Sequence, residues 1–145
     1  MQHPPNHHER GQLLIEFGFS IAIVFLAMFG VMDFGRALYA YDLVTSAART
    51  GTRYAIVHGD ACSLASCPAT AASIQTYVQS TLVGIDAPAT VSVATVWSTG
   101  TGCVDATFKG PQCTVKVTVS YSFPFLLLIK PNLTIKSSSQ MVIVQ

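Results

Sequence analysis

Charge is scarce in this sequence. Asp, Glu, Lys and Arg together make up 10% of its residues and sum to a net +1, whereas ordinary soluble domains carry roughly one charged residue in four. Basic residues form no cluster, so no phosphate-neutralising face is available and nucleic acid is not expected as a partner. Carboxylates are equally few. After Asp42 only Asp60, Asp86 and Asp105 remain, and His58 is the sole histidine beyond the amino-terminal trio His3, His7 and His8. A catalytic triad would have to be built on that one histidine. No G-x-S-x-G, P-loop or dinucleotide fingerprint occurs. The sequence therefore predicts neither an enzyme nor a cofactor.

What is abundant is apolar surface, and it is concentrated. Between Leu13 and Met32 the only ionisable residue is Glu16, and Ser20 is the only other clearly polar one. As a helix, the stretch Gln12–Met32 is roughly 30 Å long, the thickness of the hydrocarbon layer, so membrane lipid is its expected surrounding. A removed signal peptide would have an apolar region of about 7–15 residues followed by a small-x-small cleavage site. Here the run is longer and is followed by Asp33-Phe34-Gly35-Arg36, without such a site. Glu16 lies one helical turn inside the run. A carboxylate at the centre of a membrane helix costs roughly 2.5–3.5 kcal/mol, less near an end, and persists where it has a partner or a task. The plainer reading is a side chain that reaches the headgroups.

The segment Gly11-Gln12-Leu13-Leu14-Ile15-Glu16-Phe17 resembles a type IV prepilin processing site, in which a peptidase cuts after the glycine. Two further steps follow: Asp33-Phe34-Gly35-Arg36-Ala37-Leu38-Tyr39, and Ala47-Ala48-Arg49-Thr50-Gly51-Thr52-Arg53-Tyr54-Ala55. Together and in this order they resemble the TadE-like family of the tight-adherence (Flp pilus) system, over about residues 10–58. The resemblance implies cleavage between Gly11 and Gln12. It also implies assembly through Glu16 and Phe17, and motif roles for Asp33, Phe34, Gly35, Arg36, Ala48, Arg49, Gly51, Arg53 and Tyr54. The implied partners are a prepilin peptidase, other pilins or pseudopilins, and an inner-membrane platform with its secretion ATPase. Cleavage would leave an ammonium on Gln12, one helical turn from Glu16, so the carboxylate could neutralise that terminus or a neighbour's. The major subunits of such systems are short and nearly all helix. The sizeable domain beyond the helix here points to a minor pilin or assembly factor.

Past the apolar run, Phe34, Leu38, Tyr41, Val44, Ala48, Gly51 and Ala55 recur at three- and four-residue steps. This predicts one helix continuing to about Val57, with Gly59 as its stop. The small residues Ala47, Ala48, Gly51 and Ala55 would admit another backbone closely, either the chain's own domain or a second subunit. Asp33, Arg36, Asp42, Arg49 and Arg53 are expected to form a solvated face. A short second helix is predicted over 69–83, carrying Ile74, Tyr77, Val78 and Leu82 on one side. Alternating apolar residues then predict three strands: one over 90–97 through Val91, Val93 and Trp97; one over 114–121 through Val115, Val117, Val119 and Tyr121; and one over 133–144 through Leu133, Ile135, Met141 and Ile143. The apolar stretch 123–129, opened by Phe123 and Pro124, reads as a connection that either folds into the core or meets a partner or the membrane surface.

Cys62, Cys67, Cys103 and Cys113 all follow the apolar run. Their spacings do not match a paired metal site, so disulfides in an oxidising compartment are expected. Cys62–Cys67 with Cys103–Cys113 is the simplest of three possible connectivities. The whole predicts a pilin-like α+β protein: a leader over 1–11, a transmembrane helix over 12–34 with its amino terminus in the cytoplasm, and an extracytoplasmic domain over 35–145. That domain would pack a small antiparallel sheet and a short helix on the outer half of the long helix. A membrane-anchored binding module, unrelated to pili, is the competing function.

Overall fold

A computed structural model describes residues 7–60, 62–63, 66–85, 90–98, 110–111, 113–125 and 133–143. Helix α1 runs without interruption over His7–Val57, about 75 Å at 1.5 Å per residue. No proline occurs between Pro5 and Pro68, so nothing breaks its hydrogen-bond ladder. Helix α2 covers Ala71–Thr81. Its start is set by a capping box: the Thr70 hydroxyl accepts from the Ser73 amide, and the Ser73 hydroxyl accepts from the Thr70 amide, satisfying donors that a helix end leaves open. Three strands follow, β1 (Ser92–Ser98), β2 (Thr114–Phe123) and β3 (Leu133–Val142), in an antiparallel sheet ordered β1-β2-β3. The α+β architecture is the one the sequence patterns predict.

The core lies where one face of this sheet meets the carboxy-terminal half of α1 and the inner side of α2. Val115, Val117, Val119, Tyr121 and Phe123 of the central strand are all buried, as are Ile74 and Val78 of α2. Burying each such side chain contributes about 1.5–3 kcal/mol. On α1 the buried positions beyond Asp33 are Ala40, Val44, Ala47, Ala48, Gly51, Thr52 and Ala55. At Gly51 the helix and the core stand close: a Cβ there would lie 2.7 Å from Val78 and 3.3 Å from Val117. One turn of hydrogen bonding fixes the register of helix on sheet. The buried Thr52 hydroxyl lies 2.7 Å from the Ala48 carbonyl oxygen and 3.3 Å from that of Ser139 on β3.

The predicted stripe is only half right. Val44, Ala48, Gly51 and Ala55 are buried, but Phe34, Leu38 and Tyr41 are 64%, 54% and 57% exposed. The buried side of this part of the helix is the neighbouring row Asp33, Ala37, Ala40 and Val44, rotated by one residue. A sheet packs closest over small side chains, and the row with alanines admits it where the row with Phe34 and Tyr41 would hold it away. Three smaller differences follow the same geometry. β2 continues past Tyr121 through Phe123, which is buried and paired with Leu133. Leu133 itself is 46% exposed, because it opens an edge strand flanked on one side only. Tyr77, at 39%, stands at the rim of the α2 face.

β2 runs antiparallel to α1, since Val117 lies beside Gly51 and Phe123 beside Arg36. The ends of the domain therefore differ in chemistry. The end far from the apolar half of α1 carries the Cys62–Cys67 disulfide and Cys113, which is also disulfide-bonded. Cys103 lies outside the described residues. The near end carries Val83-Gly84-Ile85 and the end of β2 with Pro124 and Phe125, whereas 126–129 of the predicted apolar connection lie outside the described residues.

Candidate assembly helix

Among the described residues, nothing of the fold covers the amino-terminal half of α1 from Gly11 onward. Every residue from 11 to 32 is exposed, and burial by the domain begins at Asp33. The exposed length is roughly 33 Å, and the segment is long and apolar enough to cross a membrane once. In water this surface would be an extreme apolar patch. In a bilayer it needs no protein cover, because every interior backbone group is satisfied within the helix. Glu16 and Phe17 project from this bare segment, and Gln12 and Ser20 stand one turn to either side of Glu16 on the same face. The bond between Gly11 and Gln12 lies inside α1 near its start. Glycine is the poorest helix former there apart from proline, so opening the helix at that bond costs least.

Where the bare helix meets the domain, the Asp33-Phe34-Gly35-Arg36 step divides by face. Asp33 is buried, contrary to the solvated face expected for it, and its Oδ1 lies 3.3 Å from the Arg36 guanidinium. That guanidinium also sits over the Phe123 ring, 5.5 Å from its centroid. A carboxylate entering a protein interior must be compensated, and Arg36 supplies that while fastening the last residue of β2 to α1. Phe34 and Gly35 face outward.

The second motif step divides the same way. Ala48 and Gly51 are buried against the sheet and α2, so the small residues serve the chain's own domain. Arg49, Arg53 and Asp42 are exposed, as a solvated face requires. Tyr54 stacks between His58 and Tyr77, with ring centroids 4.0 and 4.4 Å away. No group of three potential metal ligands occurs among the described residues.

No curated protein and no solved structure matches this chain. A protein-family model does: that described as TadE-like protein, over residues 11–53. The match opens at Gly11, crosses the bare apolar half and the Asp33–Arg36 junction, and ends at Arg53 within the packed half. The amino-terminal segment of this protein, residues 11–53 of its long helix, is TadE-like.

Proposed function

We propose that the protein is a minor pilin or assembly factor of a tight-adherence pilus, cut by a prepilin peptidase between Gly11 and Gln12. It is held in the inner membrane by α1, with its amino terminus in the cytoplasm and its sheet domain outside. The observation that carries this reading is the coincidence of two boundaries. The TadE-like match begins at the residue proposed for cleavage, and the helix it begins stays wholly uncovered until Asp33. A tether needs only a span, whereas an uncovered helix with a carboxylate near its start is also a surface on which related helices can dock. The docking partners on this reading are other pilins or pseudopilins, handled by the platform and its secretion ATPase. The role is structural and non-enzymatic, which accords with the lack of a catalytic constellation in the sequence.

Removing the protein from its host tests this directly. Surface pili counted by electron microscopy should fall by at least about ten-fold and return when the parent chain is restored. Normal piliation in the deletion strain would contradict the assembly role, whatever the membrane behaviour of the chain.

A further inference from the structure

At the near end of the domain a recess of about 190 Å³ opens between α1, the loop after α2 and the end of β2. It is lined by Arg36, Tyr39, Ala40, Gly84, Ile85, Tyr121 and Phe123. The lining holds a guanidinium, paired on one side with the Asp33 carboxylate behind it, together with two phenols and an apolar wall of Ile85 and Phe123. The geometry points to a binding site for the phosphodiester headgroup of a phospholipid in the leaflet on which the domain stands.

Depth supports this occupant first. Arg36 follows Met32, the last residue of the uninterrupted exposed run, by four residues, about 6 Å along the helix. The polar layer on each side of the hydrocarbon is roughly 5–8 Å thick. The recess therefore opens among headgroups if α1 crosses a bilayer, the placement on which this inference rests. Tyrosine suits the same depth, since its ring is apolar and its hydroxyl is wet.

Shape and charge are the second support. A guanidinium matches phosphate oxygens in a planar, two-pronged geometry. Arg36 is positioned before any ligand arrives, by Asp33 at 3.3 Å and by the Phe123 ring beneath it. Gly84 shapes the opposite wall. Its φ is +93°, and the Tyr39 hydroxyl oxygen lies 2.8 Å from the place a Cβ would take. Only a residue without a side chain fits there at no steric cost. The apolar wall can accommodate a glycerol backbone and the first methylenes of its chains, which free phosphate lacks.

The test is a titration of the detergent-solubilised full chain with dioleoyl-phosphatidylglycerol, bound lipid being counted by native mass spectrometry. A parallel titration uses inorganic phosphate alone. The parent chain should retain one lipid, held about ten-fold more tightly than by Arg36→Gln, since hydrogen bonds to charged groups are the strong ones. Tyr39→Phe should weaken retention about three-fold, and millimolar inorganic phosphate should not displace the lipid. Because Arg36 also fastens β2 to α1, its variant is scored beside its thermal unfolding midpoint. If that midpoint falls, Tyr39→Phe decides, as it keeps the ring and removes only the hydroxyl. Equal retention by parent and variants overturns the site, and displacement by phosphate reassigns it to the free ion. Alkaline carbonate extraction separates the levels: a chain released from membranes overturns the bilayer placement and the site together. A chain retained but indifferent to both substitutions overturns the site alone.

Discussion

A Glu16→Ala chain should enter the membrane at least as well as the parent and yet fail to support pilus assembly. Removing a carboxylate from an apolar helix relieves an insertion cost, up to about 2.5–3.5 kcal/mol at the bilayer centre and less one turn from the end. Among the described residues nothing offsets that cost, because Glu16 is exposed and stands on a part of α1 that the described domain does not cover. The side chain persists there, on our reading, because it meets the ammonium that cleavage creates on Gln12 or on the equivalent residue of a docked subunit. A pair worth only ~1.4 kcal/mol in that setting changes docking ten-fold, and low-dielectric surroundings strengthen it. Pilus counts should therefore fall by about ten-fold or more, with membrane levels of the chain unchanged. Glu16→Gln should behave like Glu16→Ala in assembly, since it keeps the shape and loses the charge. Normal piliation in both variants would remove the ion-pair role assigned to Glu16.

Two glycines of the TadE-like segment should respond oppositely to substitution. Gly51 sits where the helix stands close against the core. An added Cβ would stand 2.7 Å from Val78, 3.3 Å from Val117 and 3.7 Å from Ile74. All three neighbours are fully buried, and valine has little rotamer freedom with which to yield. Replacing glycine within a helix gains up to about 1 kcal/mol of propensity, but overpacking a closed core costs typically ~1–3 kcal/mol, occasionally more. Gly51→Val, with three added carbons, should fall at the upper end, lowering the melting midpoint of the solubilised chain by at least about 10 °C. Gly35 meets nothing within 4 Å, so Gly35→Ala should leave the midpoint unchanged or raise it slightly. A Gly51→Val chain as stable as the parent would mean that the helix does not approach the sheet as described.

Much of this fold could be read from alternation and periodicity. β2 shows the pattern most plainly, because a central strand packed on one face buries every second residue without exception from Val115 to Phe123. β3 is blurred by Ser137 and Ser139, which occupy inward positions between Ile135 and Met141 without an apolar side chain. Thr52 explains one of them: its hydroxyl meets the Ser139 backbone, and a bulky residue there would crowd the helix. The carboxy-terminal half of α1 was harder. Two rows of apolar residues run side by side from Asp33 to Val44, and size favours the aromatic row as core. Proximity decides for the other, because Ala37 and Ala40 let the sheet come close and the half-buried pair Asp33–Arg36 closes the row at the end nearer the bare helix. A carboxylate is a poor sequence signal for a buried position, and this one is intelligible only with Arg36 and Phe123 in view. The recess beside them was not legible at all, since Arg36, Gly84 and Tyr121 come from three separate elements.

The TadE-like match covers 11–53 and does not reach the sheet domain. Motif and exposure distinguish the bare helix, and packing distinguishes the domain. They join at Asp33 and Arg36, where the exposed run stops and the core starts.

The amino-terminal sequence and intact mass of the protein extracted from its native membrane test the central claim most directly. A mature chain that begins at Gln12 and carries Glu16 as its fifth residue is the predicted result. A chain that retains Gly11 and the residues before it, in cells that assemble normal pili, would contradict processing and with it the pilin role.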